Sequence, residues 1–322
     1  VNGIRIVSEE NECRAVWEAA VPRRAIWDLW EVRCCFHRNF RRQLHFIVAE
    51  QNGAICGLLP LSRIEESDSY GFFPGEVWKG KTWLEGNRIV SGDEETLRDM
   101  LERCPAPYEL RYLLPPKNGQ ENGWATDEIG YLFHPPRYGY DLENYFGEFS
   151  RKSRKRLKRD LEFMEALGVR YRYNDTSDFS YLVDLNLSRF GEDSYFSDPR
   201  FTESLRDLMN LLRERGWLRL TTIIIQGRVA AVDLGGVYNG CYTLFGGGTN
   251  ADFIGVAKLI NTHHIRWACE EKLELVDFLC GDFAWKKIFH LSPRPLYLLS
   301  SRAEEEELQT VEEKTGSGAY VG

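Results

Sequence analysis

Three consecutive glycines, Gly246, Gly247 and Gly248, follow the run Cys241-Tyr242-Thr243-Leu244-Phe245 and precede a long stretch opened by Gly255. The apolar, aromatic-rich run predicts a strand. Glycines at its end predict that the strand stops at Gly246 in a turn free to take positive φ. From Gly255 to Glu271, apolar residues recur at Val256, Leu259, Ile260, Ile265, Trp267 and Ala268, the spacing of a half-buried helix with Gly255 in its first turn. A helix start preceded by a flexible loop presents unpaired amide hydrogens and the positive end of the helix dipole, which suits a phosphate or a developing oxyanion. Leu275 to Cys280 predicts a returning strand that ends at Gly281-Asp282, ahead of a short basic helix with Trp285, Lys286 and Lys287.

The rest of the chain supplies elements around this stretch. Residues 3 to 8 alternate as a strand, and two helices follow over residues 11 to 36. Phe46 to Glu50 and Ala54 to Leu61 flank Gln51-Asn52-Gly53, a hairpin signal. A strand around 81 to 90, a helix from 94 to 103 and a strand at 109 to 114 complete an α/β half. Residues 115 to 139, rich in Pro, Gly and Asn, predict an irregular connection. Beyond a boundary near 140 the expected order is a basic helix (145 to 167), a strand (169 to 173), helices at 178 to 190 and 199 to 215, and strands at 217 to 225 and 229 to 237. Leu157 and Leu161 mark the buried side of the basic helix, with Arg151, Lys155, Lys158 and Arg159 together on another side. At 322 residues with 43% hydrophobic content, each half can bury a core.

Taken in order, several of these features resemble one known family. They are Ser150-Arg151-Lys152-Ser153-Arg154-Lys155-Arg156-Leu157 leading to Gly168-Val169, then Leu244-Phe245-Gly246-Gly247 and Gly255 at a helix start. Asp277-Phe278-Leu279-Cys280-Gly281-Asp282 with Trp285-Lys286 closes the series. The chain resembles the GNAT superfamily of N-acyltransferases, within it the CelD/BcsL-type branch akin to Fem-type aminoacyl transferases, best over residues 145 to 300. The resemblance implies an α/β (α+β) fold of two GNAT-like domains, each a mixed, mostly antiparallel central sheet flanked by helices. Residues 1–140 would be a degenerate domain contributing to an acceptor cleft, 141–302 the acyltransferase domain, and 303–322 an acidic tail. The implied activity is transfer of an acyl group from acyl-CoA, such as acetyl-CoA, to an amine acceptor, a small molecule or polymer; relatives' contexts imply cell-envelope or polysaccharide metabolism.

The family's pyrophosphate loop, Arg/Gln-x-x-Gly-x-Gly/Ala, falls on Asp252-Phe253-Ile254-Gly255-Val256-Ala257. Gly246, Gly247, Gly248, Gly255, Val256 and Ala257 are the candidate cofactor-binding residues, with Arg154 and Arg156 on the basic helix. The small residues fit, whereas Asp252 would repel a pyrophosphate. Proton transfer and oxyanion stabilisation need groups near the strand ends. Asp282 is the candidate base and Lys286 the candidate electrostatic group. Asp233, a charge inside an apolar strand, is the acceptor-side candidate. Where the family places a tyrosine acid this chain has Trp285, for which Tyr242 or His290 can substitute. His263 and His264, about 100° apart on a helix, do not form a metal-binding face and read as structural. Phe72, Phe73, Trp78 and Trp83 read as core.

A net charge of −8 excludes a surface coated for general nucleic-acid binding, yet the basic run 151–159 can hold tRNA or another polyanion. An aminoacyl-tRNA donor and a non-catalytic binding module are therefore the alternatives to acyl-CoA chemistry. The eight cysteines show no Cys-x-x-Cys spacing and no zinc-like cluster with His, so no metal is expected and the thiols read as reduced. No run approaches the roughly 18 apolar residues of a membrane span, and a cytoplasmic location is the expectation.

Overall fold

The computed structural model describes residues 3–115, 124–281 and 283–301. These divide into two compact units, one of residues 3–23, 27–115, 124–128 and 295–301, the other of 24–26, 129–281 and 283–294. The acidic segment 303–322 and the candidate base Asp282 lie outside the described residues.

In the first unit, β1 (Gly3–Val7) is followed by α1 (Glu10–Ala20), α2 (Trp30–Phe40), β2 (Leu44–Gln51), β3 (Ala54–Ile64), β4 (Ser69–Phe72), β5 (Val90–Ser91), α3 (Glu94–Leu101) and β6 (Tyr108–Leu113). The expected hairpin forms with Gln51 opposite Ala54, and Asn52 and Gly53 take φ of 52° and 77°, the conformation that Asn-Gly adopts readily. The strand expected around 81 to 90 shrinks to β5. A buried carboxylate explains the difference: Glu76 accepts from the amides of Trp83 (3.1 Å) and Leu84 (2.8 Å), which folds 76–84 around a side chain. The strand missed by pattern is β4, antiparallel to β3 and parallel to β6. Trp17, Trp30, Phe46 and Phe73 pack in the core, where Trp30 stacks on Phe73 at 4.9 Å; Phe72 and Trp78 are buried as expected.

The second unit takes β7 (Ala125–Phe133), α4 (Leu142–Phe146), α5 (Arg151–Glu165), β8 (Val169–Tyr173), α6 (Phe179–Phe190), α7 (Pro199–Glu214), β9 (Leu218–Ile225), β10 (Arg228–Tyr238), β11 (Cys241–Thr249), α8 (Val256–Glu270), β12 (Leu275–Asp277) and α9 (Ala284–Ile288). The last strand, β13 (Ser292–Ser300), pairs through Tyr297, Leu299 and Ser300 with β6 of the first unit's residues. Strands run in the order β7-β12-β11-β10-β9-β8, all antiparallel except the β11/β12 pair. The order of a strand, two helices, three antiparallel strands, a helix and a strand is the order expected for the GNAT fold. β7 corrects the expectation of an irregular 115–139: Tyr131 and Phe133 alternate into the core, while Gly130 leaves room for the Arg294 guanidinium.

The three glycines also correct the sequence reading. β11 does not stop at Phe245 but runs through Gly246, Gly247 and Gly248 to Thr249, paired throughout with β10, and none of the three has positive φ. Their lack of side chains serves close approach instead. A Cβ on Gly248 would lie 2.9 Å from Leu185 of α6, and one on Gly247 would collide with the Asp233 carboxylate. Because neighbouring strand residues face opposite sides, α6 covers one face of the sheet and Asp233 points to the other, under α8.

Candidate functional site

The site begins where two parallel strands part. β11 and β12 pair at Cys241/Leu275, Tyr242/Val276 and Thr243/Asp277, and no further β11–β12 pair follows among the described residues. One residue step on β10, Leu234 to Gly235, corresponds to two on β11, Gly246 to Leu244, which makes Phe245 a bulge. A bulge bends and twists its strand, and this one lies at the point of divergence. On the other side, Asp277 accepts from the Leu279 amide (2.9 Å) and from Arg294 (2.9 Å), Leu279 takes φ of 57°, and the chain turns to pair with Tyr131. Asp277 thus shapes the turn.

Half-buried Gly246 and exposed Gly247 border the opening, and nothing lies within 4 Å of a Cβ built on Gly246. The Asn250 amide donates to the Ala230 carbonyl (2.9 Å), so alternation turns the Gly247 amide away from β10, toward the side that β12 has left. Its carbonyl accepts from Asn186 of α6 at 3.1 Å. A backbone donor at a gap in a sheet can polarise a carbonyl oxygen placed there.

Beneath lies a buried hydrogen-bonded pair. Asp233 and His264 are 4% and 0% exposed, with His264 Nε2 2.9 Å from Asp233 Oδ2. Asp233 and Gly247 face each other in a pair without ladder hydrogen bonds, the closer type, and Asp233 Oδ1 occupies the space a Gly247 side chain would need. Tyr242 is fully buried 5.1 Å from the His264 ring, and its hydroxyl, the Thr221 hydroxyl and His264 Nδ1 find no hydrogen-bond partner among the described residues. Burial first, and then the Asp233 charge, push the Tyr242 pKa well above the usual phenol value, so it remains a proton-bearing donor. The sequence reading gives Asp233 and Tyr242 as separate candidates and His264 as structural. The signal it lacked was cross-element: His264 meets Asp233 from a strand 31 residues earlier.

Other candidates take different places. Lys286 is 2% exposed and donates to the carbonyls of Leu279 (2.8 Å) and Cys280 (2.6 Å), which holds the turn after β12. Gly255, at φ 99°, opens α8, while Val256 is buried. Ala257 follows in the first turn of α8. The charge of Asp252 is met by Arg228 in a close, exposed ion pair. Arg154 pairs with Glu143 (3.2 Å), whereas Arg156 is exposed on α5. His290 stacks edge-on against Phe149 at 4.6 Å. Among the described residues no group of three or more His, Cys, Asp or Glu gathers to hold a metal, and no disulfide joins any of the eight cysteines.

Residues 151–287 match the family profile described as an acetyltransferase (GNAT) domain. This stretch is a GNAT domain. Solved structures similar to the whole chain include FemX (TM-score 0.58, 10% identity, covering 94% of this chain and 99% of that one). L-PGS from Bacillus licheniformis gives a TM-score of 0.54 at 9% identity, covering 91% and 92%. A tandem GNAT protein from the clavulanic acid biosynthesis pathway gives 0.52 at 11%, covering 92% and 98%. At such identities these likenesses show the fold, including the tandem arrangement of GNAT-like units. No curated protein sequence matches the chain.

Proposed function

We propose that this protein is an N-acyltransferase that moves an acyl group from acyl-CoA to an amine, with the chemistry in residues 141–302 and the N-terminal GNAT-like half, 1–140, not carrying it. One observation carries the reading. Within a GNAT domain, β11 leaves β12 beside the bulge at Phe245, and the gap is bordered by an unpaired-side amide at Gly247 and by the buried Asp233–His264 pair. The free amine attacks the thioester carbonyl carbon, a C–N bond forms, the C–S bond breaks, and the thiolate leaves with the electron pair. Gly247 N–H stabilises the oxyanion, Asp233 with His264 accepts the proton lost by nitrogen, and Tyr242 remains protonated as a hydroxyl donor. Asp282 remains a candidate base.

The loop after β11 suits the phosphates of such a donor. Gly255 takes φ of 99° at the start of α8, and Arg228 offsets the Asp252 charge that would otherwise repel them. Gly246, Gly247 and Gly248 border the pantetheine path in this reading, and Arg154 and Arg156 lie on the helix packed against α8. A second donor, aminoacyl-tRNA, is favoured by the unpaired cations of α5 described below.

Thermal unfolding with CoA, acetyl-CoA and longer acyl-CoAs at millimolar concentration tests the reading. A ligand at about 100 times its dissociation constant adds about 2.7 kcal/mol, several degrees in a unit of this size. A shift followed by amine-dependent thiol release supports it. No shift with any acyl-CoA, together with a shift on aminoacyl-tRNA, would replace the donor.

A further inference from the structure

Helix α5 presents a face that its packing does not use. Leu157, Leu161 and Met164 turn inward. On the outward side, at about 100° per residue, Arg151, Lys155 and Glu162 form one stripe, and Lys152, Arg156, Arg159 and Phe163 the next. Arg154 and Lys158 pair with Glu143, and Arg159 with Asp160. Arg151, Lys152, Lys155 and Arg156 have no carboxylate partner among the described residues. Five cations, Arg151, Arg154, Lys155, Lys158 and Arg159, line a single open groove, in a chain whose net charge is −8.

An apolar side chain stands at the C-terminal end of this face, and another on the neighbouring loop before α8. Phe163 is 65% exposed on the outward stripe, one turn beyond Arg159. Ile254, at the loop before α8, is 89% exposed. The two belong to one neighbourhood: a Cβ on Gly255 would lie 3.9 Å from Met164, and Lys258 of α8 pairs with Asp160 of α5 at 2.6 Å. Large apolar groups held in water beside a dense cationic stripe gain nothing from solvent. An anionic bilayer satisfies both, drawing the cations to its headgroups and burying the apolar tips at the acyl boundary. A nucleic acid would satisfy the charge and could stack on Phe163, but an aliphatic tip such as Ile254 offers a base no stacking surface.

We infer that the outward face of α5 with Phe163 and Ile254 docks peripherally on an anionic lipid bilayer. No helix among the described residues is long and apolar enough to cross a membrane, so the contact lies in the interface. The inference stands apart from the transfer reading, because it concerns binding that needs no donor or acceptor.

The test is co-sedimentation of the full chain with vesicles of phosphatidylcholine alone and of phosphatidylcholine mixed with phosphatidylglycerol, at low and high salt, with a tRNA pool as competitor. The expected result is sedimentation with the mixed vesicles only, weakened by salt. Lys152→Gln with Lys155→Gln should weaken it about 25-fold, about fivefold for each cation. Phe163→Ser with Ile254→Ser should weaken it about tenfold or more at every salt concentration. All four side chains are exposed, so an unchanged melting midpoint confirms that the variants fold. Absence of binding to the mixed vesicles at low salt overturns the inference, as does binding that the apolar double variant leaves intact. Capture of tRNA that the mixed vesicles fail to displace also overturns it, in favour of an RNA-binding face.

Discussion

Asp233→Asn separates a catalytic carboxylate from a structural one. The substitution keeps the shape of the side chain and an acceptor oxygen for His264 Nε2, now 2.9 Å from Asp233 Oδ2, but removes the charge. A charge-assisted hydrogen bond contributes about 1.5–3 kcal/mol and a neutral one about 0.5–1.5, so the expected loss of stability is about 1 kcal/mol. In a unit of this size that lowers the melting midpoint by about 2–4 °C. Removing the partner instead is harsher. His264→Ala would strand the carboxylate, 4% exposed, without its imidazole, at a cost of about 3–5 kcal/mol. If Asp233 takes the amine proton, Asp233→Asn should lower turnover about 100- to 10,000-fold, which corresponds to about 3–5 kcal/mol on the barrier, well beyond the change in stability. The assay is thiol release from the acyl-CoA and amine that the donor screen selects, read beside the melting curve of the same preparation. Turnover within twofold of the parent, at a midpoint a few degrees lower, would refute the role and leave Asp233–His264 as a hydrogen-bonded pair of the core.

Two further outcomes follow from buried groups. Lys286→Met should remove at least two charge-assisted bonds to the Leu279 and Cys280 carbonyls, lowering stability by about 3–5 kcal/mol in urea unfolding; an unchanged midpoint would show that the turn holds without the ammonium. Acid should destabilise the fold through His263, which burial, followed by the charges of His264, Arg219 and Arg266, holds down at about 3. The folded state keeps this imidazole neutral while the unfolded chain protonates it below its ordinary value near 6.5, so its contribution is complete above that pH and declines as pH falls toward 3. Between pH 7.5 and 4.5 the loss is about 2–3 kcal/mol by urea unfolding, and His263→Gln should remove most of that slope. Burial lowers His37, His45 and His134 as well, with the same sign, so part of the acid slope should survive in the variant.

Local rules made much of the second unit readable. The strands β8, β9 and β10, the helices α6 and α7 and the inward Leu157 and Leu161 of α5 each depend on residues within a few positions, and all formed as expected. What escaped the sequence was set between elements. Three glycines in a row carry the same local freedom whether they make a turn or an extended strand. The choice was made by α6, which needs the space at Gly248, and by Asp233, which needs it at Gly247. Glu76 gave no periodic signal, yet it folds 76–84 through amides seven and eight residues ahead. The candidate site repeats the pattern. Asp233 stood out because a carboxylate in an apolar strand must find a partner, but periodicity on α8 could not say that the partner was His264 rather than its neighbour His263, which instead stacks on Tyr171 at 4.2 Å. A buried charge in a strand therefore predicts that a complementary group exists on the helix covering it, and the identity of that group is a property of the packing alone.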